Sequence, residues 1–140
     1  MLYRPMERSP VLRRGATAVE FALVAPVFFM FILGLIELGR GMMVQSLLEN
    51  AARAGVRTGI VEGTSTSQIT STVTNMLSSQ GISGDTATIE VNDNVADAST
   101  AQAGDEITVL VSVPVSQITW VPVPTFLHGT ISAQYTMRRE

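Results

Sequence analysis

The feature that most constrains this chain is an uncharged apolar run close to its start. The run extends from Phe21 to Ile36, reads FALVAPVFFMFILGLI, and contains no charged side chain. As an α-helix it would be about 24 Å long, which is short of the ~30 Å hydrocarbon core of a bilayer. Adding residues 16–19 brings the segment close to spanning length but places Glu20 inside it. The run therefore predicts a membrane-spanning helix that carries a carboxylate near its start.

Charge is distributed unevenly on the two sides of the run. Residues 1–15 contain four arginines and one glutamate and so carry a net charge of +3, whereas the whole chain carries −3, which leaves −6 for the remainder. A basic start before an apolar run predicts a cytoplasmic N-terminus and an acidic part that crosses the membrane. The same distribution argues against nucleic acid as a partner. The chain has no cysteine, which excludes disulfides and thiolate metal sites.

Two interpretations rest on the apolar run and its basic flank alone. A cleaved secretory signal peptide is one, but the residues that follow the run, ELGRG, offer no small-residue cleavage pattern. A plain single-pass anchor is the other. Neither interpretation accounts for the residues at the start of the run, which read RRGATAVEF.

The segment RRGATAVEF resembles the site at which a prepilin peptidase removes the leader of a type IV prepilin. Such leaders are short and basic and end in Gly, and the fifth residue of the mature chain is Glu. The resemblance implies cleavage between Gly15 and Ala16. Gly15 is then the last residue of the leader, directly after Arg13 and Arg14, and Glu20 becomes the fifth mature residue.

The similarity continues along residues 16–59, which resemble the TadE-like family. Its members are minor pilins, or pseudopilins, of the tight-adherence (Flp-type) pilus machinery. They typically share a V-E-F start, a proline in the apolar run, a later E-x-G-R and an A-A-R-x-G-x-R stretch. Here these appear as Val19-Glu20-Phe21, Pro26, Glu37-Leu38-Gly39-Arg40 and residues 51–57. The major Flp pilins are much shorter and commonly carry Tyr after the Glu, so Phe21 and the long C-terminal part favour a minor component.

The resemblance also implies an assembly role for Glu20, with Phe21 beside it. Glu20 of one subunit pairs with the new α-amino group of Ala16 in a neighbour. Because an unpaired charge in a dry helix bundle costs several kcal/mol, such a pair sets the axial register. The alternative is an interfacial carboxylate that only marks the end of the helix.

A second pair of charges follows the apolar run. Glu37 and Arg40 are three residues apart, so they share one face of a helix. We expect them to form an ion pair at the outer membrane interface. The alternative is that Glu37 pairs within an assembly.

The rest of the chain predicts a small domain in which a helix is followed by strands. Ser65 and Gln68 form a capping box that opens a second helix, and Gly81 is a suitable residue to end it. Period-two alternation then predicts three strands, near residues 87–92, 107–113 and 131–138. The predicted fold class is α+β. It comprises a long N-terminal helix whose first half spans the membrane, a short second helix and a small antiparallel β-sheet of about three strands.

Two other features have structural interpretations. Gly55 and Gly59 have the G-x-x-x-G spacing of close helix pairs, but we expect them to let the long helix lie tightly on the domain or to weaken its end. Residues 114–129 predict a proline-punctuated loop, because three prolines prevent a helix or a central strand. Its large apolar residues either cap the core or contact a partner subunit or the membrane surface: Trp120, Phe126 and Leu127.

Signatures of catalysis are weak in this sequence. There is no Walker A, G-x-G-x-x-G or H-E-x-x-H pattern, and the single histidine, His128, lies in the proline-rich loop. An acidic and amide cluster has oxygen ligands suited to calcium but lacks the EF-hand spacing, so a solvated turn is expected. Its members are Glu90, Asn92, Asp93, Asn94 and Asp97. The sequence predicts no enzyme activity, no metal and no cofactor.

These observations predict three parts, namely a basic leader (1–15), a transmembrane and extended helix (16–62) and a small extracytoplasmic α+β domain (63–140). The predicted protein is a minor pilin precursor of a tight-adherence pilus or related secretion assembly. It is a single-pass protein of the bacterial inner membrane with a cytoplasmic N-terminus. The implied partners are the prepilin peptidase, other pilin subunits and, indirectly, the assembly platform and ATPase. The rival is an uncleaved membrane-tethered envelope binding module, for which Glu20 is dispensable.

Overall fold

The structure is a computed structural model that describes residues 11–119 and 129–140. It contains two helices and four strands: α1 (Val11–Gly59), α2 (Thr66–Ser79), β1 (Thr86–Val91), β2 (Asn94–Val95), β3 (Glu106–Pro114) and β4 (Thr130–Arg138). Short 3-10 turns lie at Ala98–Thr100 and Val115–Gln117. The chain divides into two units, Met1–Ile36 and Glu37–Glu140, which are described separately.

In the first unit the structure describes only the N-terminal part of α1. The helix continues through Pro26. Its apolar side chains are exposed on every side, from Val19 to Ile36. A helix that is apolar all round is typical of a membrane span, because no face of it prefers water.

The second unit contains a four-stranded antiparallel sheet in the order β2-β1-β3-β4. Val109 at the middle of β3 pairs with Ile89 on one side and with Tyr135 on the other. The α+β prediction is confirmed, but the expectation of about three strands is low by one. The additional strand, β2, has two residues and is therefore too short to show an alternating pattern.

A tight turn creates β2. Val91 pairs with Asn94, and the two residues between them, Asn92 and Asp93, have φ values of 50° and 63°. Positive φ at both central positions is the requirement of the hairpin turn that suits twisted strands, and Asn and Asp tolerate it better than most residues. The polar segment that the sequence assigned to a solvated turn therefore includes a hairpin.

The second helix begins and ends as the sequence predicts. The N–H of Ser65 donates to Oε1 of Gln68 at 2.9 Å, which is the reciprocal bond of the predicted capping box. At the other end Gly81 has a φ of +74°, and the N–H of Ile82 reaches the carbonyl of Leu77 at 3.0 Å. This backbone arrangement ends a helix with a left-handed residue, for which glycine carries no Cβ penalty.

The core of the second unit lies between the two helices and one face of the sheet. Its fully buried members include Leu48 and Val56 of α1, Ile69 and Val73 of α2, and Ile107, Val109, Val111 and Val113 of β3. A Cβ on Gly55 would lie 2.9 Å from Val73 Cγ2, and one on Gly59 would lie 2.9 Å from Ile69 Cδ1. The expectation that these glycines let the long helix lie tightly on the domain is therefore confirmed.

Candidate functional site

The predicted processing site lies in the first turns of α1. Arg13 and Arg14 belong to the first turn, and Gly15 and Ala16 follow as exposed residues. A Cβ built on Gly15 meets no atom within 4 Å. No packing partner in the described chain therefore restricts access to the bond between Gly15 and Ala16.

The predicted assembly residues lie one turn further along the same helix. Glu20 is exposed, and the ring of Phe21 is 71% exposed. Ala16 and Glu20 are four residues apart, which places their Cβ atoms on one helix face at about 5–6 Å. A carboxylate and a newly made α-amino group at these two positions would therefore lie on one face of the helix.

The apolar surface that follows Glu20 is long enough to cross a bilayer. The described helix from Gly15 to Gly59 has an 18-residue window with a mean hydropathy of 2.5, and no part of that window is buried. About 20 predominantly apolar residues are needed to span a membrane. By length and composition this helix can cross a membrane.

The predicted ion pair of Glu37 and Arg40 falls at the start of the second unit. Both side chains are half-buried. Nε of Arg40 donates to the backbone carbonyl of Ile118, on the segment that follows β3. Sequence reasoning did not find this contact, since 78 residues separate the two partners. The pairing of Glu37 with Arg40 stays a prediction.

Three members of the acidic and amide cluster, Asn92, Asn94 and Asp97, form hydrogen bonds within turns or to the adjoining loop. Oδ1 of Asp97 accepts from the N–H of Ser99 at 2.8 Å, and this bond is the main reason that the pKa of Asp97 lies below its ordinary value. Oδ1 of Asp105 accepts from Nδ2 of Asn92 at 2.9 Å. Among residues 15–119 and 129–140 no group of three or more His, Cys, Asp or Glu side chains is placed to hold a metal ion.

Asp105 also organises the loop before β3. Its Oδ2 accepts from the N–H of Gln102 at 2.7 Å, and this bond contributes most to a pKa below the ordinary value, followed by the bond from Asn92. Arg139 adds a smaller favourable interaction with the carboxylate. Asp97 and Asp105 therefore stabilise the loops to which they belong.

Arg139 is a buried residue that sequence reasoning missed. It is 2% exposed, and its guanidinium donates to the carbonyls of Gly59 and Ala101 at 2.6 Å each and of Val61 at 3.1 Å. Its Nε has no hydrogen-bond partner in the described chain. A cation is favourable at the C-terminal end of a helix, where unpaired carbonyls gather. The alternation of β4 could have predicted this burial, because residue 139 has the same parity as the inward-facing residues 133 and 137 and so falls on the same face.

Four residues singled out in the proline-rich loop lie outside the described residues. They are Trp120, Phe126, Leu127 and His128. The first three are expected to cap the core or to contact a partner subunit or the membrane surface, and His128 is expected to be a loop residue; these stay predictions.

Comparison with family models identifies one match along the chain. Residues 15–57 match the TadE-like protein family, so the resemblance is confirmed for this segment, which is about a third of the chain. The matched residues include Gly15, Ala16, Glu20, Phe21, Glu37 and Arg40. No curated protein and no solved structure matches the chain.

Proposed function

We propose that this chain, which is TadE-like over residues 15–57, is the precursor of a minor pilin of a tight-adherence (Flp-type) pilus or a related secretion assembly. A prepilin peptidase removes residues 1–15. The apolar part of α1 anchors the mature chain in the bacterial inner membrane, with the N-terminus in the cytoplasm and residues 63–140 outside it. Other pilin subunits are the direct partners, and the assembly platform and ATPase act indirectly.

One observation carries this proposal most strongly. A glycine after two arginines, a glutamate five residues later and an exposed apolar helix stand in one segment, which from Gly15 onward matches the TadE-like family. A plain membrane anchor needs only the apolar helix. The glycine and the glutamate at this offset have a common explanation if cleavage after Gly15 produces an amine that Glu20 then pairs with.

Access to the scissile bond follows from its position in the helix. Gly15 lies four residues after the start of α1 at Val11. The ends of helices fray at low free-energy cost, and a glycine weakens a helix by roughly 0.5–1 kcal/mol relative to alanine. The first turns of α1 can therefore unwind to present the Gly15–Ala16 bond to a peptidase while the apolar run remains helical.

The pairing of Glu20 has a direct electrostatic reason. Ionisable groups inside a membrane are costly and usually pair with one another. Cleavage places an ammonium on Ala16, and Glu20 lies one turn away on the same helix face. In an assembled bundle of subunits, Glu20 of one chain and the amine of its neighbour then satisfy each other and set the register between the two helices.

The exposed apolar surface of the helix suits both lipid before assembly and the helices of other subunits after it. Before assembly, side chains such as Phe28, Phe31 and Leu35 contact lipid on all sides. In an assembly the same side chains pack against the helices of other subunits. A helix with a single apolar face would not suit both environments.

The test of processing is the N-terminal residue of the chain purified from its native membrane, determined by mass spectrometry. Wild type is compared with Gly15→Trp and with a control of equal size, Gly34→Trp, at another glycine that has no atom within 4 Å of a built Cβ. We expect a chain that begins at Ala16 in wild type and in the control, and an uncut chain in Gly15→Trp.

Two other results would overturn the proposal and identify a rival. A wild-type chain that begins at Met1 or Leu2 indicates an uncleaved, membrane-tethered envelope module. A chain that begins after Ile36 indicates a secretory signal and an exported domain. If cleavage is found, Glu20→Gln is tested next by co-purification of differently tagged subunits, with Glu49→Gln as control. We expect loss of co-purification only in Glu20→Gln.

A further inference from the structure

The outer edge of β4 presents backbone groups without partners. The N–H of Arg139 donates to the carbonyl of Asp105, and the N–H of Val115 donates to the carbonyl of Gly129. The backbone N–H and C=O groups of the odd-numbered residues of β4 therefore point toward β3. The N–H and C=O groups of the even-numbered residues therefore point away from the sheet. The carbonyl of Ser132 accepts from Nε2 of Gln45 at 3.3 Å. From residue 134 to residue 138 the outward groups have no hydrogen-bond partner in the described chain.

The opposite edge of the sheet is also open over most of β1. The N–H of Asn92 donates to the carbonyl of Glu106 at 2.9 Å, so the backbone groups of the even-numbered residues of β1 point toward β3. The backbone groups of Ala87 and Ile89 therefore point outward. β2 pairs only with Glu90 and Val91. Beside the uncovered part lies an open groove of about 460 Å³, lined by Thr66, Ala87, Thr88, Ile89, Val95, Ala96 and Asp97.

Within the described residues, neither edge strand contains a lysine, a proline or a bulge, which are three of the devices that usually prevent strand addition. β4 pairs with β3 through nine consecutive residues without a bulge, and it contains neither lysine nor proline. The groove beside β1 exposes an apolar side chain, Val95, which is 75% exposed. Both edges are therefore suited to accept a strand.

The two edges differ in charge. The second unit has five arginines, which all lie on α1 or at the end of β4: Arg40, Arg53, Arg57, Arg138 and Arg139. Between residues 58 and 137 the chain contains no lysine or arginine. The β1–β2 side carries four carboxylates instead: Asp85, Glu90, Asp93 and Asp97. A contact between two β1 edges would bring like charges together, whereas a contact between β4 and β1 brings Arg138 close to carboxylates.

Arg138 is free to take part in such a contact. Its side chain is 69% exposed, and its only ion pair in the described chain is with Glu106 at 3.5 Å. An exposed pair of this kind contributes little to stability, so it does not hold the guanidinium in place. Arg53 lies over the ring of Tyr135, on the opposite face of β4 from Arg138, with 5.1 Å between Cζ and the ring centroid.

We infer that the free edge of β4, residues 134–137, pairs with the free edge of β1, residues 86–89, in a second copy of this chain. β1 and β4 are each antiparallel to β3, so they run in the same direction within one chain. Two copies of the same orientation, as in one membrane, therefore pair these edges as parallel strands. The contact uses different surfaces on the two copies, so each copy keeps one free edge for a further subunit and the contact can repeat.

This inference deepens the proposed function, because it names a surface of subunit contact outside the apolar helix, but the contact itself does not require cleavage at Gly15. The experiment uses the absence of cysteine in the natural chain. One tagged full-length chain carries Gln134→Cys and a second, differently tagged, carries Thr86→Cys. Both residues are exposed and lie on the same face of the sheet as Ser112. The two chains are produced together and treated in membranes with a short bismaleimide.

We expect a cross-linked dimer that contains both tags, several-fold more abundant than in either single-cysteine sample. The matched control replaces either cysteine with Ser112→Cys, on the same face but in a central strand, and should give no such excess. Equal yields with the control overturn the inference, as does a dimer that forms equally well from Gln134→Cys alone, which would indicate contact between two β4 edges. The reagent spans both direct and diagonal neighbours on adjacent strands, about 5 and 7–8 Å apart.

A charge exchange tests the orientation of the contact. Arg138→Glu on the Gln134→Cys chain should reduce the mixed dimer roughly two- to fivefold, and Glu90→Arg on the Thr86→Cys chain should restore it. A reduction that Glu90→Arg does not reverse would contradict the proposed pairing. The whole set is repeated with Gly15→Trp. A mixed dimer from uncut chains supports the edge contact whatever the outcome for processing, and cleavage without a mixed dimer refutes the edge contact alone.

Discussion

The helix α1 has two different surfaces, one in each unit of the molecule. Up to Ile36 its apolar side chains are exposed on every side. From Val44 to Gly59 its buried positions instead recur every three or four residues, and the remaining positions are mostly exposed and include charged residues: Glu49, Arg53 and Arg57. The first surface has no partner within the described chain, whereas the second has the sheet and α2 as partners. One helix therefore combines a segment that needs an external apolar environment with a segment that its own domain covers.

The same substitution should consequently have different effects on stability in the two regions. Leu48 is fully buried in the core, and Leu23 is 72% exposed. Leu48→Ala should lower the free energy of unfolding of the second unit by about 2–5 kcal/mol, because a cavity adds to the lost apolar burial. Leu23→Ala should leave that free energy unchanged. Urea unfolding of the full chain in detergent, followed by circular dichroism, measures both, and equal effects would contradict the division of α1.

The next largest effect is expected at the end of α1. Arg139→Ala leaves the carbonyls of Gly59, Val61 and Ala101 without their donor in a buried site, and we expect a loss of about 2–4 kcal/mol. Arg138→Ala is the matched control, because the adjacent arginine is exposed and should change stability by less than about 0.5 kcal/mol. If the two variants unfold at the same urea concentration, Arg139 does not hold the helix end.

Glycine substitutions along α1 sharpen the comparison further. Gly55→Ala places a Cβ 2.9 Å from Val73 Cγ2 and 3.3 Å from Val109 Cγ1. We expect it to destabilise the second unit by about 1–3 kcal/mol, since overpacking moves core side chains. Gly41→Ala, where a Cβ meets nothing within 4 Å, should be neutral or stabilising, because alanine favours helices. Thermal unfolding midpoints of the two variants in the same detergent provide the measurement.

The smallest predicted effect is on the pH dependence of the second unit. The pKa values of Asp97 and Asp105 are lowered by hydrogen bonds, so folding favours their ionised forms. Their contribution to stability is therefore present above about pH 4, the ordinary range of aspartate, and is lost as the pH falls through the lowered values. The double variant Asp97→Asn, Asp105→Asn should show a shallower loss of stability below pH 4 than wild type. An unchanged pH profile would refute a role for these two carboxylates.

Much of the fold was accessible from sequence because each element carries a local pattern. The apolar run, the Ser65–Gln68 cap, the Gly81 stop and the alternation of β1, β3 and β4 all depend on neighbours along the chain. β2 was missed because a two-residue strand has no period and depends on the turn at Asn92 and Asp93. The candidate site residues from Gly15 to Glu20 came from a motif and a resemblance, and their roles stay predictions.

The contacts that sequence could not provide join residues far apart in the chain. Arg139 and Gly59 are separated by 80 positions, and Arg40 and Ile118 by 78. No local pattern distinguishes Arg139 from Arg138 by residue type. The two arginines differ only in the face of β4 toward which their positions point. That difference can be used only once it is known which face of the strand is buried.

The sequence by itself determined which region has an apolar surface and whether each long element is a helix or a strand. Hydrophobic periodicity, caps and charge are properties of neighbouring residues, so they can be read from the sequence. The tertiary structure alone decided which arginine is buried, why Gly55 and Gly59 must lack a side chain, and which strand edges have no partner among the described residues. These depend on the distance between segments that packing brings together, and that distance is absent from any stretch of sequence read alone.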